Sequence, residues 1–393
     1  MSFFDNILLH YGWEGVALLG VTLLMLFVQL YYYIFVYGSI PSYKATRRQA
    51  RLEKEPPVSI VIAMFSEDYD FVERRLPLFL AQEYSEYEVV VVYVGSDGDF
   101  YEDLQRIKQL FSQVVVTKIE FNPRFPISPK MALNVGIKSA HYEHIILSTT
   151  DVAPVSDKWV SLMAKGFTRG EVVLGYCGLD DEQEQEQEQA KGLGFSLMRT
   201  SRMMRSVKWL SSAIRRNPYR GIRHAVGFTK NHYFSTNNGF GFLNMNVGED
   251  DLFLQKIMTK ENVVAVLSPK AMLKEKCWGG MSWWLDQLRY YGATEHYYPS
   301  NVTSTSGWEM GSHILFILSL LTAMVVLPIE LKVAAIVLLL IRVLVVLIEV
   351  GRIAKRLGES GVVGSYLIYD IWRPIESLLV RLMLLRHDSR VWR

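Results

Sequence analysis

Carboxylates recur at four places in this 393-residue chain where an apolar run begins or ends. Ser66-Glu67-Asp68 follows Val58–Met64, and Gly95-Ser96-Asp97, with Asp99, follows Glu88–Val94. Thr149-Thr150-Asp151 follows His144–Ser148, and Gly248-Glu249-Asp250-Asp251 precedes the apolar helical run Leu252–Met258. One such cluster is what a turn or helix N-cap looks like, because Ser and Asp oxygens accept from free backbone N–H groups. Four in order, without a lysine beside each, lean towards a polar ligand site.

The elements that must position these residues alternate. Val58–Met64, Glu88–Val94, Val114–Glu120 and His144–Ser148 read as continuous apolar strands. Phe71–Gln82, Asp103–Phe111 and Lys130–Ser139 between them have helical spacing. Strand–helix alternation with apolar strands predicts an α/β domain with a mostly parallel sheet covered on both faces. Ligands in such folds bind beyond the carboxyl ends of the strands, where the carboxylates fall.

Half of the residues are apolar, and they concentrate near the two ends. Val16–Val36, His313–Ile329 and Val333–Val350 are each about long enough to cross a hydrocarbon core. Residues 1–15 carry no Lys or Arg and no small-residue cleavage site follows, so the first run reads as a retained anchor. Lys44, Arg47, Arg48, Arg51 and Lys54 follow the first run, and Arg352, Lys355 and Arg356 follow the third. The positive-inside rule then puts the domain and the tail in the cytoplasm and the N-terminus outside. This reading divides the chain into an anchor and basic linker over 1–55, the α/β domain over 56–300, a membrane hairpin over 301–352 and an amphipathic tail over 353–393. The tail helix, Val362–Leu385, lies either on the membrane surface or on the domain.

The net charge of +2 makes no case for nucleic acid as a partner. The two cysteines, Cys177 and Cys277, have no CxxC spacing and no nearby histidine cluster, so they read as reduced and buried. Arg199, Arg202, Arg205 and Lys208 recur every three residues and predict a basic stripe, facing lipid headgroups or a lipid-linked phosphate. Arg342, inside the third apolar run, reads as pairing with Glu349 or Glu330, or as facing another helix. The acidic run from Asp180 to Gln189 reads as solvated.

The stretches PPVSIVIAMFSED, YEVVVVYVGSDGD, SPKMALNVGIKSA, ILSTTDVAP, AVGFTKNHYF and GEDDLFLQKI, in this order, resemble the family 2 glycosyltransferases over about residues 55–300. The ending YDIWRPIESLLVRLMLLRHDSRVWR is similar to that of membrane-bound members from Bacteroides-like bacteria. The resemblance implies a GT-A fold, which is Rossmann-like, carried with three transmembrane helices at the inner membrane. It implies inverting transfer of a sugar from a nucleotide-diphosphate donor to a lipid-linked or envelope-glycan acceptor, with Mg²⁺ or Mn²⁺ on the diphosphate. By position, Glu67 lies by the nucleotide, Lys130 near it or its phosphates, and Asp151 is the first acid of the DxD pair and a metal ligand. Asp250, beside Glu249, matches the catalytic base. Gln287 and Arg289 fall near the Gln-x-x-Arg-Trp motif that serves acceptor and diphosphate. Trp284, from the aromatic stretch before the second membrane run, is an open candidate for stacking on sugar.

Three positions depart from the family pattern. Tyr93 and Val94 stand where the second strand ends in an Asp that binds the base. Ala153 replaces the second acid of DxD, and Arg289 is one position off its motif, about 100° around a helix. Asp97 or Asp99 are the substitutes expected in the nucleotide pocket, and Asp157 the one near the metal. The departures also admit a catalytically inactive relative that serves as a scaffold subunit, with membrane lipid and a membrane-protein partner around it.

Overall fold

The computed structural model describes the backbone of residues 3–120, 127–180, 192–236 and 251–385, with side chains from Gly12 onward. Glu249 and Asp250, and most of the acidic run after Asp180, lie outside the described residues.

Helix α1 (Phe3–Tyr31) runs through a π-helical turn, Tyr32–Tyr37, into α2 (Ser39–Ser42). The domain then builds β1 (Val58–Met64), α3 (Leu76–Leu80), β2 (Tyr87–Val94), α4 (Gly98–Leu110), β3 (Val114–Ile119), α5 (Pro129–Ser139) and β4 (His144–Ser148). There follow β5 (Val152–Pro154), α6 (Trp159–Phe167), β6 (Val172–Leu174), β7 (Cys177–Leu179), α7 (Leu193–Ile214), β8 (Val226–Thr229) and α8 (Lys230–Ser235). The last elements are α9 (Asp251–Ile257), β9 (Val263–Ala265), β10 (Leu273–Glu275), α10 (Met281–Gly292), α11 (Ser300–Val326), α12 (Ile329–Leu357) and α13 (Val362–Leu385).

The main sheet has the order β3-β2-β1-β4-β8-β6-β9. It is parallel except for β8, which runs against both β4 and β6. β1 and β2 are buried almost throughout, as Val/Ile runs covered on both faces must be. Helix α5 lies close on them because residue 136 is Gly: a Cβ there would stand 2.5 Å from Val61 and 2.8 Å from Val92. That approach carries the first turn of α5 over the carboxyl ends of β1 and β4. A small second sheet, β5-β10-β7, continues the domain beyond β4. Helix α4 starts at Gly98 rather than Asp103, because Asp97 caps it by accepting from the Phe100 N–H at 2.8 Å.

Three helical segments are long and apolar enough to cross a membrane: Gly12–Ser42, Ser300–Val326 and Ile329–Leu357. Their outer faces expose Leu24, Phe27, Leu321, Val325, Leu340 and Leu344. Between them lies a polar seam. Arg342 of α12 does not pair with Glu349 or Glu330. Glu349 sits two turns, about 10 Å, along the same helix, and bonds Arg352 at 2.7 Å. Arg342 instead reaches Asp370 of α13 with both terminal nitrogens, at 2.6 and 3.1 Å. It also contacts His313 of α11 at 2.8 Å and Gln29 of α1 at 3.3 Å.

The basic stripe of α7 faces inward, against expectation. Arg202 bonds Glu275 of β10, and Arg205 bonds Glu376 of α13 at 3.1 Å. Arg199 lies 3.7 Å from Glu359, in the turn between α12 and α13, and Lys208 lies 3.4 Å from Glu309 of α11. Each cation therefore answers a carboxylate from a different later element, so α7 is the post on which the C-terminal helices are hung. Of the two placements its sequence offered, helix α13 shows packing on the domain. It packs on α7, α10 and α12, with Glu376 bonding Ser201 and Arg205 of α7 and Arg373 bonding Glu309 of α11. It leaves Ile371, Leu378 and Leu382 exposed on the opposite face.

Candidate active site

A cavity of about 500 Å³ opens at the carboxyl ends of β1 and β4. Phe65, Ser66 and Asp68 line one side, and Thr149, Thr150 and Asp151 the other. Pro129 and Leu133 of α5 cover it, and Arg223 and Trp278 close the far end. It is where an open α/β sheet binds ligands.

The loop bearing Asp151 is held from three directions. The Lys276 N–H donates to the Asp151 carbonyl at 2.8 Å. Arg75 donates to the Thr150 carbonyl at 3.3 Å and to Asp70 at 2.7 Å. Lys276 Nζ donates to the same Asp70 at 2.8 Å and sits 4.2 Å over the Trp278 ring. The Lys276 and Arg75 hydrogen bonds hold the Asp70 carboxyl below the usual carboxylate range, although partial burial opposes them. The Asp151 side chain accepts from the Thr149 hydroxyl. Burial pushes its carboxyl up, but neighbouring His224 and Arg223, together with Thr149, outweigh burial and hold it lowered. Asp151 is therefore an anion on the wall of the cavity.

Glu67 and Asp97 converge on one residue, Tyr93. Its buried hydroxyl donates to Glu67 Oε1 at 2.5 Å and accepts from the Asp97 N–H at 3.2 Å. The ring fills the space under residue 95 so closely that a Cβ on Gly95 would collide with it. Burial, and then the Glu67 carboxylate, push the phenol up to about 12, so it stays a donor. Tyr93 thus bridges the first two strand ends. Asp99 sits in the first turn of α4 and Lys130 in the first turn of α5.

Gln287, Arg289 and Trp284 lie on α10, and none of them lines this cavity. Trp284 is buried with Phe195, Met198 and Val380, and Arg289 pairs with Asp286 at 3.2 Å. Asp251 is turned into the core. It accepts from Thr294 and Tyr298, each at 2.5 Å, which ties α9 to the segment after α10.

A group that sequence spacing did not connect lies behind Asp151. His224, just before β8, is wholly buried with Nε2 3.9 Å from Asp151 and 3.8 Å from Glu275. Neither ring nitrogen has a hydrogen-bond partner among the described residues. Cys177 and Glu275 come from the paired strands β7 and β10, and their ligand atoms and that of His224 all lie within 4.8 Å of one another. Burial pushes the His224 imidazole down to about 3 and the Glu275 carboxyl up to about 7. The two cysteines are free, Cys177 buried and Cys277 only partly so. Nothing in the local sequence signals this group: Leu273–Glu275 reads Leu-Lys-Glu, an ordinary mixed edge.

No protein-family model matches the chain, and no curated protein does. Solved structures do match. The mannosyltransferase PcManGT from Pyrobaculum calidifontis, solved with GDP-Man and Mn²⁺, superposes with a TM-score of 0.53 at 13% identity, over 94% of this chain and 99% of its own. S. aureus TarS gives 0.40 at 14% identity, over 65% of this chain and 43% of its own. GalNAc-T7, solved with UDP, GalNAc and Mn²⁺, gives 0.40 at 12%, over 57% and 45%. The first of these carries the conclusion: the chain has a glycosyltransferase fold, with a mostly parallel sheet and three helices long enough to span a membrane.

Proposed function

We propose that this chain is a membrane-anchored, inverting glycosyltransferase that moves a sugar from a nucleotide-diphosphate donor to a lipid-linked or envelope-glycan acceptor. The observation that carries this reading is the cavity at the ends of β1 and β4, with anionic Asp151 on its wall. In that reading Glu67, oriented by Tyr93, lies on the nucleotide side with Asp97 and Asp99. Lys130, at the start of α5, faces the phosphates. Asp250, beside Glu249, takes the acceptor proton as the hydroxyl attacks the anomeric carbon and the diphosphate leaves. Gln287 and Arg289 on α10 belong to the acceptor side, whereas Trp284, packed in the core with Phe195, Met198 and Val380, does not face an acceptor.

The reading implies a divalent ion, and the residues fit one. Ala153 offers no ligand, but Asp151 is an anion and the orphan nitrogen of His224 lies 3.9 Å behind it. When bound, the ion neutralises charge on the leaving diphosphate. The chain's own part is to hold Asp151 deprotonated and its loop still, through Thr149, Arg75 and Lys276.

Calorimetry with UDP- and GDP-sugars, each with and without Mn²⁺, tests the reading. Saturable binding of at least one donor is expected. No heat with any donor overturns it in favour of a scaffold subunit without turnover. We place the domain on the cytoplasmic face of the inner membrane, on the strength of the basic flanks at Lys44–Lys54 and Arg352–Arg356. In a Cys277→Ser background, Arg48→Cys should then resist a membrane-impermeant thiol reagent in intact cells. Labelling there reverses the orientation.

A further inference from the structure

The cluster behind Asp151 has two properties that buried side chains rarely combine. His224 is fully buried, yet among the described residues neither of its ring nitrogens has a hydrogen-bond partner, where interior polar groups are nearly always satisfied. Its Nε2 points between two carboxylates at 3.8 and 3.9 Å, beyond hydrogen-bond length. Two ligands of one tetrahedral ion, each about 2.1 Å from it, stand about 3.4 Å apart. The two His224 distances are a few tenths of an ångström wider than that. The ligand atoms of His224, Glu275 and Cys177 lie within 4.8 Å of one another, so side-chain shifts of up to about 1 Å would close them around an ion.

We propose that His224, Glu275 and Cys177, with Asp151 as the ligand facing the cavity, form a site for a divalent transition ion of the zinc or cobalt class. The donor set decides the class. Imidazole, thiolate and carboxylate suit a borderline-soft ion, whereas Mg²⁺ prefers oxygen alone and keeps several waters. The scaffold supports the assignment. Cys177 and Glu275 project from adjacent parallel strands of the small sheet, and β5, which begins one residue after Asp151, pairs along the other edge of β10. Arg202 fixes the rear of the site. It bonds Glu275 through Oε2 and the Cys177 carbonyl at 3.2 Å, leaving Glu275 Oε1 turned to His224. Such outer partners aim ligands at a metal. The metal site does not depend on the transferase reading.

The test uses the full-length protein in detergent, stripped with chelator and titrated with Co²⁺ alone, without nucleotide. Saturable binding with tetrahedral-type visible absorption and a near-ultraviolet sulfur-to-cobalt band is expected, displaced by Zn²⁺ and not by Mg²⁺. Cys177→Ser should lose the sulfur band with Cys277 still present. Loss of an outer partner alone weakens metal sites 10–100-fold, so His224→Ala should weaken binding by more than ~100-fold. If His224→Ala does not fold, His224→Gln replaces it. No saturable cobalt, a sulfur band that survives Cys177→Ser, or unchanged affinity in a folded His224 variant each overturns the proposal. Donor calorimetry is a separate measurement, so failure here and failure of the transferase reading are told apart.

Discussion

Asp151→Asn should lower turnover by roughly 10²–10³-fold, the scale on which one preorganised electrostatic group acts in an active site. The substitution keeps the shape of the side chain and the contact with the Thr149 hydroxyl. It leaves the loop held through backbone atoms, because Lys276 bonds the Asp151 carbonyl and Arg75 the Thr150 carbonyl. Only the charge is lost, beside His224 and Arg223. The direction of the Asp151 shift adds a second expectation. A lowered carboxyl stays ionised as pH falls through the ordinary carboxylate range, so an acid limb near neutrality would belong to another group. Steady-state rates at saturating donor, with thermal unfolding as a check on folding, measure the effect. Turnover within tenfold of the parent protein would remove Asp151 from the chemistry.

Glu309→Ala should cost about 3–5 kcal/mol of stability, because it strands the buried Arg373 guanidinium rather than merely deleting a bond. Arg373 donates to Glu309 at 2.6 Å and Lys208 lies 3.4 Å away. Glu309 and Arg373 are 1% and 3% exposed, so water cannot take over. The comparison is Arg106→Ala on α4, which breaks a 2.7 Å pair with Asp103 at the surface and should cost no more than about 1 kcal/mol. Adding Arg373→Met to Glu309→Ala should recover part of the loss, since one unpaired charge leaves with its partner. Thermal unfolding in one detergent ranks the four proteins. A Glu309→Ala midpoint no lower than that of Arg106→Ala would show that the polar seam carries no net stability.

How far the sequence was legible followed the range of each interaction. β1, β2 and β4 were readable because a strand buried on both faces writes its environment into a local run of Val and Ile. The strand ends, and with them Glu67 and Asp151, came with the strands. The start of α4 was misplaced because the decisive contact was a cap, Asp97 to Phe100, rather than apolar spacing. The stripe on α7 shows the limit of periodicity. Spacing of three places Arg199, Arg202, Arg205 and Lys208 on one face, but says nothing about what that face meets. Their carboxylates lie far along the chain, so the stripe read as facing lipid headgroups or a lipid-linked phosphate. The same holds for Arg342, whose partner Asp370 belongs to another helix. Cys177, His224 and Glu275 were illegible as a group because two separate sheets bring them together.

The pairing of α7 also sets a timetable. A ribosome releases residues 199–208 well before Glu275, Glu309, Glu359 and Glu376 exist. Until then none of the four cations has the carboxylate that it pairs with in the folded chain. Helix α7 can therefore settle into the interior only after the last two apolar helices have been made and α13 has folded back. The interior around α7 is thus completed only when α13, the last described helix, is in place.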